Sequence, residues 1–257
     1  MFDKHTDSEW EKFGQIDPYF GVLTDPRFSR DNLSEEHLEA FFETGAQHVE
    51  NILYKIRKYV EPEFSSKRAL DFGCGVGRLV IPLSRTIDDV TGLDVSDSML
   101  AEATKNCRAR SIENVTLEKS DDQLTALNGE YDLIHSYIVF QHIPPVRGEA
   151  IFKKLIAHLA MGGVGVMHFT YAHGYALRKL SALAKLYVPL ITNFHNLLRG
   201  KKPNYPQMEM NPYDLNRLFR HVQDGGAENC HIEFSDHGGE LGVIIYFRKP
   251  HLKVADG

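Results

Sequence analysis

The chain has few cysteines and no long hydrophobic run. Its 257 residues contain three cysteines, Cys74, Cys107 and Cys230, too few and too scattered for a disulfide framework or a CxxC metal site. No segment approaches the ~20 apolar residues that span a bilayer, and charged residues interrupt the N-terminal stretch where a signal peptide would lie. We therefore expect a cytoplasmic protein with no transmembrane segment and no metal site.

Basic residues are also in deficit. Lys and Arg number 29 against 35 Asp and Glu, and the net charge of -6 lacks the basic footprint that general nucleic-acid binding requires. The hydrophobic fraction of 42% and the charged fraction of 25% are ordinary for a folded protein. The length suits one large domain with additions.

Strand and helix patterns alternate along most of the chain. Short apolar runs predict seven strands, at residues 68–72, 90–95, 115–119, 131–137, 164–170, 230–234 and 243–247. Helical spacing separates most of them, and Ser34 and Ser96 are placed to cap two helices. The sequence therefore predicts an α/β fold with a doubly wound, mostly parallel seven-stranded sheet and a C-terminal antiparallel hairpin.

Two segments fall outside this alternation. Residues 1–33 are rich in aromatics, Asp and Pro without a sustained period, which indicates an ordered loop before a helix that starts at Ser34. Residues 171–207 interrupt the pattern after the fifth strand and indicate a helical insertion. We divide the chain into an N-terminal segment 1–64, a main domain 65–250 that carries the insertion, and a tail 251–257.

A turn with three glycines follows the first predicted strand. Gly73, Gly75 and Gly77 let the backbone approach a ligand closely, and the following helix N-terminus carries partial positive charge. The spacing is G-x-G-x-G, not the G-x-G-x-x-G of dinucleotide sites, and Asp71 precedes the turn. A carboxylate there repels a pyrophosphate but balances the ammonium and sulfonium of S-adenosylmethionine, which has no phosphate.

Acidic residues also end the next two strands. Asp94 ends the second strand, where a carboxylate can accept two hydrogen bonds from ribose hydroxyls. Asp121 and Asp122 follow the third strand, where a carboxylate or a backbone group can meet an adenine edge. Because the carboxyl ends of parallel strands lie along one edge of the sheet, we expect one site there.

These segments resemble the motifs of class I S-adenosylmethionine-dependent methyltransferases. The resemblance covers about residues 65–170 and 208–248, with motif I at residues 69–79 and the fourth-strand motif at 131–144. It implies S-adenosylmethionine as cofactor and S-adenosylhomocysteine as product. It assigns Asp71 and the three glycines to the methionine end, Asp94 to the ribose, and Met99, Asp121 and Asp122 to the adenine.

The resemblance also implies an N-terminal cover and an acceptor site. In the family, the region before motif I often folds over the cofactor, so Trp10, Phe13, Tyr19 and Phe20 are candidate cover residues, with Tyr19 the first choice. Methyl transfer requires the enzyme to align the acceptor and, for a hydroxyl, to remove its proton. His142, soon after the fourth strand, is the predicted base. Candidate acceptor contacts flank the end of the fifth strand, at His168, Tyr171 and His173.

One long stretch has no acidic residue. Residues from Ala150 to Met208 include no Asp or Glu but several Lys and Arg. Local positive potential favours an anionic acceptor, such as a carboxylate, a phosphate, or a phosphorylated sugar or lipid. The amphipathic helix predicted within 171–207 can act as a lid, dock on a membrane, or contact a second subunit in a homo-oligomer.

The sequence leaves several reactions open. The fourth-strand segment lacks the Pro-Pro-Tyr run typical of enzymes that methylate base amino groups, and no cysteine follows a proline, so nucleic-acid methylation is disfavoured. The main prediction is methylation of a small or medium-sized acceptor at oxygen. The alternatives are N-methylation of a small molecule or peptide, a nucleotide-dependent oxidoreductase, and a non-catalytic cofactor-binding scaffold.

Overall fold

The structure is a computed structural model that describes residues 5–173, 206 and 208–250. Within this part of the chain, seven strands form one sheet: β1 (Arg68–Phe72), β2 (Asp89–Asp94), β3 (Val115–Lys119), β4 (Tyr131–Ser136), β5 (Leu159–His173), β6 (Asn229–Asp236) and β7 (Glu240–Arg248). Their order across the sheet is β3-β2-β1-β4-β5-β7-β6. Strand β7 runs antiparallel to both of its neighbours, β5 and β6, and the other neighbouring strands are parallel. The predicted doubly wound sheet with a C-terminal hairpin is confirmed.

The described helices cover both faces of the sheet. They are α1 (His5–Ile16), α2 (Pro18–Val22), α3 (Glu35–Tyr59), α4 (Val80–Leu83), α5 (Asp97–Ala109), α6 (Pro145–Ala157) and α7 (Leu215–Asp224). Ser34 and Ser96 cap α3 and α5 as predicted, because their side chains accept hydrogen bonds from backbone amides at the helix starts. None of the described helices is long and apolar enough to cross a membrane.

Two hydrophobic cores pack against opposite faces of the sheet. One core joins α1 to α5 with one face of the sheet, and the other joins α6 and α7 with the opposite face. Side chains alternate between the faces along each strand. Val166 and Phe169 of β5 therefore belong to different cores.

The prediction of a loop over residues 1–33 was wrong. This segment forms α1, α2 and a short 3-10 helix at Pro26–Phe28. Few apolar positions mark α1, where Phe13 is buried beside Trp10. The face of α1 near Gly14 lies against the polar start of α5, so the segment carries little helical hydrophobic pattern.

The fifth strand is longer than predicted. The glycine pair Gly162-Gly163, expected to precede the strand, lies inside it at an irregularity in the pairing of β4 with β5. The helices predicted within the insertion fall mostly on residues 174–205 and 207, and the predicted tail on 251–257. Both lie outside the described residues.

Candidate functional site

The glycine turn is held to the end of β2 by hydrogen bonds. Gly75 donates its backbone N–H to Asp94 Oδ2 at 2.8 Å, and Ser96 donates its own to Asp94 Oδ1 at 2.9 Å. The backbone amides of Gly73 and Cys74 both donate to the carbonyl of Leu93. One carboxylate and one carbonyl thus position the loop between β1 and α4.

Gly73 cannot be replaced without disturbance. Its φ is +79°, a conformation that residues with a Cβ rarely adopt. A Cβ on Gly73 would lie 2.3 Å from Cγ2 and 2.7 Å from Cγ1 of Val139, which follows β4. Ile138 next to it has a φ of +60°, unusual for a β-branched residue. The close approach joins the ends of β1 and β4.

The carboxyl of Asp94 has a raised pKa. Burial raises the pKa of its carboxyl to about 6, although the backbone N–H groups of Ser96 and Gly75 stabilise the charged form. The carboxylate therefore titrates close to the physiological range. Perturbed carboxyls of this kind are common where a ligand binds.

Asp71 lies beneath the turn and is buried. Its Oδ1 lies 2.9 Å from Nδ1 of His135 on β4. Its Oδ2 is buried and has no hydrogen-bond partner among the described residues. A buried carboxylate oxygen without a partner is costly, so a cationic ligand group at this position would be stabilising.

A cavity of about 450 Å³ lies beyond the ends of β2 and β3. Its walls come from α1, the ends of β2 and β3, the start of α5, and α6. The lining residues are Asp7, Ser8, Glu11, Val95, Asp97, Lys119, Ser120, Asp121, Asp122 and Arg147. The carboxylates of Asp121 and Asp122, the predicted adenine contacts, both accept hydrogen bonds from other side chains. Asp121 accepts from Thr125, and Asp122 accepts from Nε of Arg147 at 2.7 Å. A ligand in this cavity would meet their backbone groups more readily than their charges.

Helix α1 forms one wall of this cavity through Asp7, Ser8 and Glu11, which were not among the predicted cover residues. Glu11 accepts hydrogen bonds from the hydroxyls of Ser96 and Ser98 and from the backbone of Ser98. Burial disfavours its charge, but these bonds and one from Gln15 lower the pKa of Glu11 to about 2. The N-terminal segment is thus bound at the start of α5.

Two predicted cofactor contacts are packing residues. Tyr19 is buried, and its hydroxyl lies 2.9 Å from Glu102 Oε1 and 3.0 Å from Asn106 Oδ1. Asn106 in turn donates to the carbonyl of Val76, so Tyr19 supports the glycine turn only indirectly. Met99 is buried between α5 and the N-terminal helices, where long unbranched side chains fill core space. Neither prediction agrees with these placements.

The prediction of His142 as the base is not supported by its surroundings. Its Nδ1 donates to the carbonyl of Glu209 at 2.7 Å, and its Nε2 lies 3.2 Å from the amide nitrogen of Gln141. The ring of Trp10 covers it with a centroid separation of 4.9 Å. Burial lowers the pKa of His142 to about 4. Both ring nitrogens have partners, so the imidazole has no position left for an acceptor proton.

Tyr171 and His173 also lie away from the glycine turn. Tyr171 packs with the core of α6 and α7, on the sheet face opposite Asp71. His173 is near the end of β5, where its Nδ1 lies 2.5 Å from Oε2 of Glu240 on β7. Side chains alternate between the two faces of β5, and the strand has a bulge after Thr170, so Tyr171 and His173 point away from the turn. His168, in contrast, is buried on the face of Asp71.

The comparisons with known proteins agree with this geometry. Residues 69–163 match the family model described as a methyltransferase domain. The fold is similar to that of magnesium protoporphyrin IX methyltransferase from Synechocystis PCC 6803, solved with bound S-adenosylhomocysteine, with a TM-score of 0.64 at 18% identity over 96% of this chain and 100% of that one. Residues 69–163 therefore form a methyltransferase domain, as the resemblance implied. The chain has the fold of S-adenosylmethionine-dependent methyltransferases.

Two further relatives share the methyltransferase domain. An S-adenosylmethionine-dependent methyltransferase from Clostridium acetobutylicum has a TM-score of 0.59 at 15% identity over 93% of this chain and 98% of that one. The 23S rRNA (uracil(1939)-C(5))-methyltransferase RlmD of Burkholderia pseudomallei is 31% identical over 105 residues, 38% of this chain. The chain spans about a fifth of the length of such curated relatives, since the match covers 21% of that protein.

Metal ligands do not form part of the methyltransferase site as far as the structure describes it. Across residues 5–173 and 208–250, no group of three His, Cys, Asp or Glu side chains is placed to hold a metal ion. The three cysteines are unpaired thiols, and burial raises the pKa of Cys74 well above its usual range.

Proposed function

We propose that this protein transfers a methyl group from S-adenosylmethionine to a small or medium-sized acceptor, at oxygen. The observation that carries the proposal is the glycine turn hydrogen-bonded to Asp94, with the unpaired oxygen of Asp71 beneath it. Asp71 suits the ammonium of the amino-acid end, and Asp94 suits the ribose hydroxyls. The cavity beside Asp121 suits the adenine. When bound, the cofactor supplies the methyl group and leaves as S-adenosylhomocysteine.

The chain's own residues orient the cofactor and exclude water. The N-terminal helix α1 closes one side of the adenine cavity through Glu11 and Asp7. The glycine turn has no side chain at Gly73, Gly75 or Gly77, so a ligand can approach its backbone closely. This arrangement supports binding of a nucleoside without phosphates, in preference to a dinucleotide.

The proposed acceptor class follows from the net charge of the chain and from the extent of its similarity to RlmD. RlmD acts on 23S rRNA by its name, but it shares only the methyltransferase domain with this chain, and the net charge of -6 argues against general nucleic-acid binding. Most of the basic residues that favour an anionic acceptor lie outside the described residues. We therefore keep a small-molecule, lipid-linked or sugar-linked acceptor in the cytoplasm as the proposal.

Label transfer tests the reaction. The full chain is incubated with cofactor carrying a tritiated methyl group and with fractions of small molecules, peptides and RNA from a cell extract. We expect label in the small-molecule fraction. Label confined to the RNA would overturn the acceptor class, and label in no fraction, with the cofactor bound, would favour a non-catalytic scaffold.

The affinity for S-adenosylhomocysteine should depend on pH. The pKa of Asp94 is about 6 in the free protein, so its carboxyl becomes protonated as the pH falls through that value and accepts ribose hydrogen bonds poorly. We expect affinity to be constant above pH 7 and to fall by up to about tenfold per pH unit below 6. Calorimetry from pH 5 to 8 measures this. Asp94→Asn should remove the step, and a step that persists in that variant would assign it elsewhere.

The ion pair between Asp7 and Arg147 should contribute to the closure of α1, beside the hydrogen bonds of Glu11. Asp7 accepts hydrogen bonds from both Nη1 and Nη2 of the buried Arg147, at 2.7 and 2.8 Å. Asp7→Asn keeps one acceptor and loses the charge, so the N-terminal segment should open more easily, by about 1 kcal/mol. Limited proteolysis should then cleave it about fivefold faster.

A matched control for this variant is Asp25→Asn, which breaks the exposed pair of Asp25 with Arg27. It should leave the cleavage rate unchanged. Equal rates in wild type and Asp7→Asn would show that Arg147 does not hold the segment.

A further inference from the structure

Four imidazoles and one phenol lie together at the carboxyl ends of β4 and β5. We call this group the imidazole cluster: His48 on α3, His135 on β4, Tyr137 just after β4, His168 on β5, and His237 between β6 and β7. The Tyr137 ring is central, with centroid separations of 4.1 Å to His48, 5.3 Å to His168 and 5.8 Å to His237. His135 contacts Asp71, so the cluster borders the cofactor site.

Unsatisfied polar atoms concentrate at this cluster. Five buried side-chain atoms lack a hydrogen-bond partner in the described part of the chain, and four of them belong to the cluster or to its charged neighbours. They are Asp71 Oδ2, Arg78 Nε, His168 Nδ1 and His237 Nε2. Burying such atoms without a hydrogen-bond partner destabilises the folded protein. A polar ligand between these side chains would offset that destabilisation.

A chain of hydrogen bonds leads out of Asp71 into the cluster. Nδ1 of His135 lies 2.9 Å from Asp71 Oδ1, and Nε2 of His135 lies 3.1 Å from Nε2 of His48. Because a carboxylate only accepts, the Nδ1 of His135 carries the proton. When His135 carries only this proton, its Nε2 accepts from Nε2 of His48, and Nδ1 of His48 is then a proton acceptor.

The charges around the cluster favour a neutral ligand. Burial lowers the pKa of His48 well below its usual range, and the neighbouring His135, Arg78, His168 and Lys55 act in the same direction. Burial also lowers the pKa of His168 to about 3 and that of His237. The imidazoles of His48, His168 and His237 therefore favour the neutral form, and Asp71 offsets the charge of Arg78. An anionic acceptor gains little from such surroundings.

We propose that the imidazole cluster binds the methyl acceptor, a planar hydroxyl compound, and that its proton leaves through His48 towards His135 and Asp71. This inference rests on the proposed methyltransferase function. The acceptor oxygen bonds to the methyl carbon as the carbon–sulfur bond breaks with its electron pair going to sulfur. The hydroxyl proton goes to Nδ1 of His48, while the Nε2 proton of His48 passes to His135. His135 and Asp71 are positioning residues for this step.

Imidazole NMR tests the proton path without turnover. The full chain is labelled with ¹⁵N-histidine and saturated with S-adenosylhomocysteine, and the signals are assigned with His48→Gln and His135→Asn. We expect His48 protonated at Nε2 and His135 at Nδ1, and we expect 4-nitrophenol to shift the Nδ1 resonance of His48. His48 protonated at Nδ1, or no shift with the probe bound, would overturn the path.

Probe affinity tests the acceptor class. We expect 4-nitrophenol to bind the S-adenosylhomocysteine complex, more weakly above its own pKa, and His48→Gln to reduce its affinity about tenfold while S-adenosylhomocysteine binds as before. His37→Gln makes the same change at a partly exposed position of the same helix and should match wild type.

The two proposals fail in different ways. If S-adenosylhomocysteine binds but 4-nitrophenol does not, the acceptor class is wrong and the proposed function stands. Equal probe affinity in wild type and a folded His48→Gln removes His48 from the site. If S-adenosylhomocysteine itself does not bind, the methyltransferase function fails as well. The tautomers of wild type decide the path even where His48→Gln does not fold.

Discussion

Gly73→Ala is expected to reduce the affinity for S-adenosylhomocysteine by about 100-fold or more. The left-handed φ of +79° costs a residue with a Cβ about 1–2 kcal/mol. The new methyl group would also lie 2.3 Å from Val139, a distance that real Cβ atoms do not adopt, so the turn or the segment after β4 must move. Both lie at the proposed site of the cofactor's amino-acid end. A combined cost above about 2.7 kcal/mol gives the stated loss.

Gly226→Ala is a control that has the backbone strain of Gly73→Ala but no steric clash of the new methyl group. Gly226 follows α7 with a φ of +92°, and a Cβ there would have no atom within 4 Å. This variant should lose about 1–2 kcal/mol in free energy of unfolding and bind S-adenosylhomocysteine as wild type does. Calorimetry on both variants, with thermal unfolding as the check of folding, makes the comparison. Wild-type affinity in a folded Gly73→Ala would contradict the assignment of the turn.

Asp94→Ala is expected to weaken the binding of S-adenosylhomocysteine by about 1–3 kcal/mol, or roughly 5- to 150-fold in affinity. The variant removes the proposed acceptor for the ribose hydroxyls. It also removes the carboxylate that holds the backbone amides of Gly75 and Ser96. Binding would then have to order the turn as well as desolvate the ribose.

Asp89→Ala is the matched control on the same strand. Asp89 lies at the opposite end of β2, where its carboxylate accepts from the partly exposed Arg68. Isothermal calorimetry should find wild-type affinity for Asp89→Ala. If Asp94→Ala and Asp89→Ala bind S-adenosylhomocysteine equally well, Asp94 does not contact the cofactor.

The parts predicted from sequence are those that lie close together along the chain. The strand, the glycine turn and the acid at the end of β2 follow from contiguous patterns, because parallel strands with helical crossovers bring their carboxyl ends to one edge. Asp71 and Asp94 lie at the ends of β1 and β2, where these patterns predicted them. The caps at Ser34 and Ser96 depend on local spacing in the same manner.

The parts that were missed depend on contacts between distant segments. His48 and His135 are 87 residues apart, and Arg147 and Asp7 are 140 residues apart, so no local pattern relates them. His142 was predicted to be the base because it follows β4. Trp10 covers its ring and Glu209 binds its Nδ1, and neither contact could be inferred from the residues around it.

The prediction of an anionic acceptor also came from a pattern along the chain, without the contacts between distant segments. The acid-free stretch from Ala150 to Met208 indicated positive potential near the acceptor. Of its basic residues on α6, Lys154 binds the carbonyl of Asp122 and the side chain of Gln123, beside the adenine cavity. The imidazole cluster, which forms the proposed acceptor region, is assembled from three separate elements, the residue after β4 and the turn between β6 and β7.

Titration of the full chain with S-adenosylhomocysteine, and separately with NAD, tests the central claim most directly. Isothermal calorimetry near pH 7.5 should show saturable binding of S-adenosylhomocysteine at one site per chain and no heat with NAD, because the turn with Asp71 beneath it suits a ligand without phosphates. Clear binding of NAD together with no heat from S-adenosylhomocysteine would contradict the account.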